Sequence, residues 1–129
     1  MSQNVKGEVA VPVTKYNGKI LIMKRSKETS SSGLWIFPGG KIKEDEKSSE
    51  AVLRELEEET GLKGEIMKKG ESCIDSGELG SWRLYPFVVE VKENKIELNH
   101  EHSEYRWVEK QEIEELDTLG ELKALEILD

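Results

Sequence analysis

The stretch Gly39-Gly40-Lys41-Ile42-Lys43-Glu44-Asp45-Glu46-Lys47-Ser48-Ser49-Glu50-Ala51-Val52-Leu53-Arg54-Glu55-Leu56-Glu57-Glu58-Glu59-Thr60-Gly61-Leu62 joins a glycine turn to a dense run of carboxylates. From about Lys47 to Thr60 the residues are good helix formers without proline. Gly61 stands just past the end, where a left-handed C-terminal cap prefers glycine. The spacing predicts a helix over that span. At roughly 100° per residue, Glu55, Glu58 and Glu59 share one arc beside the apolar stripe of Val52, Leu53 and Leu56, while Glu57 projects away into solvent. Like charges three and four residues apart repel by about a few tenths of a kcal/mol per pair, and by more where the helix edge is desolvated. A divalent cation turns that repulsion into attraction. Oxygen donors with no thiolate among them suit a hard ion, Mg²⁺ or Mn²⁺, which leaves positions for waters and phosphate oxygens. The competing reading is a Glu-rich solvated helix, as most charge runs are.

Spacing decides between the two. Gly40, Glu46, Arg54, Glu55, Leu56, Glu58, Glu59, Gly61 and Leu62 match every specified position of G-x5-E-x7-R-E-U-x-E-E-x-G-U, where U is a bulky aliphatic. The stretch resembles the Nudix box of the Nudix hydrolases, which cleave nucleoside diphosphates linked to another group. The resemblance implies an α/β fold, an α/β/α sandwich with a mixed, largely antiparallel sheet. It also implies a metal set of Glu55, Glu58 and Glu59 with the carbonyl of Gly40, and catalytic roles for Glu55, Arg54, Glu58 and Glu59. Glu55 is expected to assist in deprotonating the attacking water. Arg54 is expected to orient carboxylates by bidentate hydrogen bonds, with a plain surface salt bridge as the alternative. Glu46 is assigned to structural support around them.

Around the box the chain reads as strands. Val5 to Val13 is β-branched and partly alternating, with Pro12 suggesting an edge or a bulge. Asn17-Gly18 is a hairpin signal, and Ile20 to Met23 is the return strand. Arg25, in the basic run Lys24-Arg25-Ser26-Lys27, is a candidate substrate contact at what is otherwise a solvated strand end. Glu28 to Gly33 reads as a polar loop. Trp35 and Phe37, just before Pro38, are candidate base-stacking platforms or core anchors. Glu65 to Ser76 reads as one strand with a turn at Lys69-Gly70, and Gly77 to Gly80 as a loop. Trp82 to Val91 is the strongest strand signal, and it carries Arg83 as a further candidate substrate contact. Ile96 to Leu98 and Arg106 to Val108 are expected strands, and Gln111 to Leu116 and Gly120 to Leu128 expected helices.

A length of 129 residues fits a single domain over 1–129. A net charge of −8, with no basic stripe, argues against binding long nucleic acid or an anionic membrane. The expected partner is a small nucleotide neutralised locally by Mg²⁺ or Mn²⁺ and a few basic side chains; a homodimer is left open. One cysteine, Cys73, cannot form an internal disulfide, which fits a reducing compartment. With no signal peptide and no apolar run long enough to span a bilayer, the expected location is the cytoplasm.

His100 and His102, two apart and with no further His or Cys nearby, make a poor tetrahedral zinc set. The resemblance instead draws attention to a glutamate before the Trp107 strand. Glu101 is taken as the ligand outside the box, and Glu104 as a supporting residue. The expected function is a metal-dependent pyrophosphohydrolase that acts on a nucleoside triphosphate or nucleotide sugar by water attack at phosphorus. Gly77, Glu78 and Leu79 stand where the ADP-ribose and dinucleoside polyphosphate subclasses carry proline or tyrosine. The alternative is a non-catalytic nucleotide sensor; such modules often lose box carboxylates, and this chain keeps them all.

Overall fold

The computed structural model describes residues 5–27, 33–77 and 80–115. Its centre is a parallel pair, β1 (Glu8–Tyr16) and β7 (Gly80–Val91), in register from Glu8 opposite Arg83 to Lys15 opposite Glu90. Both strands are apolar on each face, as a sheet covered on both sides requires. Ala10 to Thr14 are all buried. Even-numbered Leu84 and Val88 join Val11, Val13, Ile20, Ile22, Trp35 and Phe37 in one core. Odd-numbered Phe87, Val89 and Val91 join Ala10, Ala51, Val52, Leu56 and Leu62 in the other.

β2 (Lys19–Arg25) folds back on β1 through Asn17-Gly18, both at positive φ (49° and 79°), as a tight hairpin demands. β3 (Trp35–Ile36) and β8 (His102–Val108) pair with β2, β4 (Gly40–Lys41) with β1, and β5 (Gly64–Lys69) and β6 (Cys73–Gly77) with β7. The main path runs β3-β2-β1-β7-β5, and every pairing but β1 with β7 is antiparallel. Helix α1 (Ser48–Thr60) covers one face through Ala51, Val52 and Leu56. On the other face α2 (Lys110–Ile113) buries Ile113. The arrangement is the expected α/β/α sandwich around a mixed sheet.

Several expectations are corrected. Pro12 lies inside the sheet: β7 flanks β1 on one side, and Pro12 falls between the stretches paired with β4 (Val9, Ala10) and β2 (Lys15, Tyr16) on the other. Its missing N–H therefore breaks no ladder. The turn expected at Lys69-Gly70 falls where β5 ends, and the chain resumes as β6 at Cys73, so the stretch Glu65 to Ser76 makes two strands. Ile96 to Leu98 is not a strand. β8 starts four residues before Arg106. The expected helix over Gly120 to Leu128 and most of the loop from Glu28 to Gly33 lie outside the described residues. Among the described residues, no helix is long and apolar enough to cross a membrane.

Candidate active site

α1 is fixed at both ends by its own sequence. At the start, Glu50 accepts the Lys47 N–H at 3.0 Å. At the end, Gly61 takes φ 79° and donates its N–H to the Glu57 carbonyl at 2.8 Å, and the Thr60 hydroxyl donates to the Leu56 carbonyl at 2.6 Å. With Val52 and Leu56 fully buried, the helix has one rotational setting, and Glu55 and Glu59 are carried to the edge where β4 meets β1.

The glycine pair lets the backbone come close to them. A Cβ on Gly40 would lie 2.3–2.5 Å from the Glu55 carboxyl group, and one on Gly39 would lie 2.5 Å from the Ala10 carbonyl oxygen. The Gly39 N–H donates to Glu59 Oε2 at 2.9 Å. Glu59 is only 8% exposed. Burial, with the charges of Glu55 and Glu101 beside it, pushes its carboxyl up to about 8, against the opposing pull of the Gly39 N–H and Arg25. Burial also raises Glu55, against its hydrogen bond with Arg54.

Arg54 spends its whole fork here. Nε and Nη2 donate to the two oxygens of Glu46 at 2.7 and 3.0 Å, Nη1 donates to Glu55 (2.9 Å) and Glu58 (3.1 Å), and Nη2 also donates to the Lys41 carbonyl at 3.0 Å. The pair with Glu46 is bidentate, so the expected orienting geometry is present. Glu46 is in turn held by the Lys43 N–H at 3.0 Å. The Arg54 hydrogen bond, then that N–H, lower its carboxyl to about 2. These bonds to Glu46, followed by those to Glu55 and Glu58, raise the guanidinium further above its ordinary value.

The two glutamates outside the box are separated by the structure. Glu101 exerts its charge on both Glu55 and Glu59, and its backbone is tied to the end of β2 by the Ser26 N–H at 2.8 Å. Glu104 instead accepts from Arg106 Nε at 3.2 Å, and Arg106 lies over the Trp35 ring at 4.7 Å, on the sheet's other face. Glu57 and Glu58 are exposed.

Arg25 faces the carboxylates closely enough to act on Glu59. Arg83 donates to Ser72 at 3.4 Å, beside Tyr85, whose hydroxyl donates to Glu8. Trp35 and Phe37 are 6% and 4% exposed and packed in the core, with Arg106 and Lys24 over the Trp35 ring; the structure places both as core anchors. His102, in sequence only a weak zinc candidate, is 5% exposed, and its Nδ1 has no hydrogen-bond partner. No apolar alternation in the sequence signals that burial.

Among the described residues, no three His, Cys, Asp or Glu side chains converge to hold an ion as they stand; Arg54 engages Glu55 and Glu58, and the Gly39 N–H engages Glu59. The donor set nevertheless fits a hard divalent cation: every donor is oxygen, and Glu59 is a buried carboxylate with two further carboxylates acting on it and too little positive charge to offset them.

The NUDIX domain family matches residues 6–128. CTP pyrophosphohydrolase of Escherichia coli (strain K12) is 39% identical over 59 residues, 46% of this chain and 44% of that protein. ADP-ribose pyrophosphatase of Bacillus subtilis (strain 168) is 29% identical over 126 residues, 95% of this chain and 66% of that protein. The matched stretches thus span less than two thirds of each relative's length. The solution structure of the E. coli ORF135 protein superposes with a TM-score of 0.75 at 25% identity, covering 94% of this chain and 86% of that one. A family match over residues 6–128, on a sandwich in which α1 carries Arg54, Glu55, Leu56, Glu58 and Glu59 of the box, means that this chain belongs to the NUDIX domain family.

Proposed function

We propose that this domain is a Mg²⁺- or Mn²⁺-dependent pyrophosphohydrolase that cleaves a nucleoside diphosphate linked to another moiety, of the nucleoside triphosphate or nucleotide sugar type. The observation that carries this reading is Glu59, a carboxylate buried at the glycine turn under the charges of Glu55 and Glu101. Glu55, Glu58 and Glu59, the Gly40 carbonyl and Glu101 would hold the cation. When bound, such an ion polarises phosphoryl oxygens and lowers the pKa of a coordinated water.

The chain's own residues supply the rest. Glu55, whose burial favours holding a proton, accepts one from the attacking water. Arg54 keeps Glu55 and Glu58 in place through its five hydrogen bonds, and Glu46 keeps Arg54 in place. Arg25, at the open end of β2, meets negative charge on the substrate, and Arg83 is the second candidate contact. The names of the two curated relatives, one for CTP and one for ADP-ribose, fit a substrate with a nucleoside diphosphate at its centre. A lone, half-buried Cys73 fits a reducing compartment, the cytoplasm.

The test is a panel of nucleoside triphosphates and nucleotide sugars incubated with Mg²⁺ or Mn²⁺, with products identified by phosphorus NMR. The expected result is cleavage within the phosphate chain that chelator abolishes. Tight nucleotide binding with no product across the panel would overturn the assignment in favour of a sensor.

A further inference from the structure

β8 meets β2 antiparallel, and directly opposed residues share a face of the sheet. Leu21 stands opposite Trp107, Ile22 opposite Arg106, Met23 opposite Tyr105 and Lys24 opposite Glu104. Trp107 packs with the core under α1, so the odd positions of β2 face the helix and the carboxylates. Arg106, over Trp35, marks the even positions as facing away. Uninterrupted pairing would set Arg25 against Ser103 and leave His102 on the far face. The register shifts between Lys24 and Arg25, and Arg25 pairs with His102. Ser103 is the extra residue of a β-bulge, and the bulge turns His102 to the face that carries Arg25 and the carboxylates.

A re-aimed side chain needs an occupation. His102 is 5% exposed, and its buried Nδ1 has no hydrogen-bond partner. Leaving such a group unpaired is costly, and native structures rarely do so without a reason. Its neighbours Arg25 and Glu101 are the charged groups that act on it, and both also act on Glu59. His102 therefore belongs to the same electrostatic neighbourhood as the carboxylate cluster, while Glu101 reaches that cluster from the adjacent loop. A ring nitrogen able to donate, in the field of the Arg25 guanidinium, suits an anionic oxygen better than an uncharged base edge.

We infer that His102 is a substrate-binding residue whose Nδ1–H donates to an oxygen of the substrate's diphosphate, beside Arg25. The inference rests on the diphosphate-hydrolase reading above and adds a residue and a contact to it. His102 takes no part in holding the cation, so its role is separable from those of Glu55, Glu59 and Glu101.

The chain has only two histidines, so the imidazole nitrogens of His102 are assigned by comparison with His100→Gln. Imidazole ¹⁵N shifts are followed as Mg²⁺ is added alone and then with imidodiphosphate, a diphosphate that resists hydrolysis. The expected result is a shift at Nδ1 of His102 that needs the imidodiphosphate. His102→Asn, whose amide reaches the Nδ1 position, is expected to keep affinity for the probe within about threefold, whereas His102→Gln, whose amide reaches the other nitrogen, loses roughly ten- to a hundredfold, the loss expected for one hydrogen bond to a charged group. The shift is read on the native protein, so the result stands even where a variant folds poorly. An Nδ1 signal that stays put at saturating probe, moves fully with Mg²⁺ alone, or belongs to a protein that does not bind the probe overturns the inference. Turnover of the nucleotide panel by the native protein judges the hydrolase reading separately.

Discussion

Glu59 is the most deeply buried carboxylate of the candidate site. Its carboxyl is raised to about 8 from an ordinary value of 4.5, so between those values the folded chain holds a proton that the unfolded chain has released. Stability of the metal-free protein contributed by this group is present at low pH and is lost as pH rises through about 8. His102, lowered by burial, acts with the opposite sign, so the useful quantity is the difference between wild type and Glu59→Gln. In chelator, thermal unfolding is predicted to show the variant gaining several degrees on wild type between about pH 5 and pH 8.5, and saturating Mg²⁺ is predicted to restore wild type selectively. A pH-independent difference would contradict this. Gly40 offers a second test. In Gly40→Ala the new Cβ meets the Glu55 carboxyl at 2.3–2.5 Å, and since that carboxyl can swing aside, the fold is expected to survive while the proposed base is displaced. Turnover is expected to fall on the order of a hundredfold, with a melting temperature close to wild type.

Helix α1 packs the core and carries the candidate-site carboxylates, and its cap and the Arg54 fork test the two roles separately. Gly61→Ala puts a side chain on a residue at φ 79° with nothing within 4 Å of the new Cβ. It should cost about 1 kcal/mol of stability through backbone strain alone and leave kcat unchanged, as paired denaturation and rate measurements would check. Arg54→Lys removes the bidentate grip on Glu46 and cannot span Glu55, Glu58 and the Lys41 carbonyl together. The expected loss is about 10- to 100-fold in activity, with a smaller effect on stability because the group is partly exposed. Equal rates for Lys and Arg would reduce Arg54 to a surface salt bridge. This helix is legible in the sequence almost to the residue, because its apolar stripe, its carboxylate arc and its terminal glycine all speak through one local period. β8 is legible only at Arg106 to Val108. Its first half, His-Ser-Glu-Tyr, has no apolar alternation, and its bulge is set by the partner strand. Sequence alone leaves the placement of Trp35 and Phe37 open for a similar reason: an aromatic run before a proline and two glycines reads alike whether it faces inward or toward a ligand.

Across the whole molecule, the sheet places the site. The parallel β1–β7 pair is buried on both faces, and the apolar run of β7 is the strongest strand signal in the sequence. Its parallel sense is not legible there, since that depends on a connection spanning most of the chain. In the assembled sandwich α1, the β4 turn and the loop before β8 lie along one edge, with Gly40 against the Glu55 carboxyl and the charge of Glu101 acting on Glu55 and Glu59. Glu104, three residues from Glu101, is turned to the other face by its place in the β2 register and by Arg106. Under the proposal above, Glu55, Glu58, Glu59, Glu101 and the Gly40 carbonyl would hold a divalent cation. That ligand set is tested most directly by titrating Mn²⁺ into the nucleotide-free protein and reading free ion by electron paramagnetic resonance. Glu55→Gln, Glu59→Gln and Glu101→Gln are predicted to weaken binding about tenfold or more, while Glu57→Gln and Glu104→Gln bind as wild type does. Unchanged Mn²⁺ affinity in Glu59→Gln, or a loss in Glu104→Gln without one in Glu101→Gln, would contradict this ligand set.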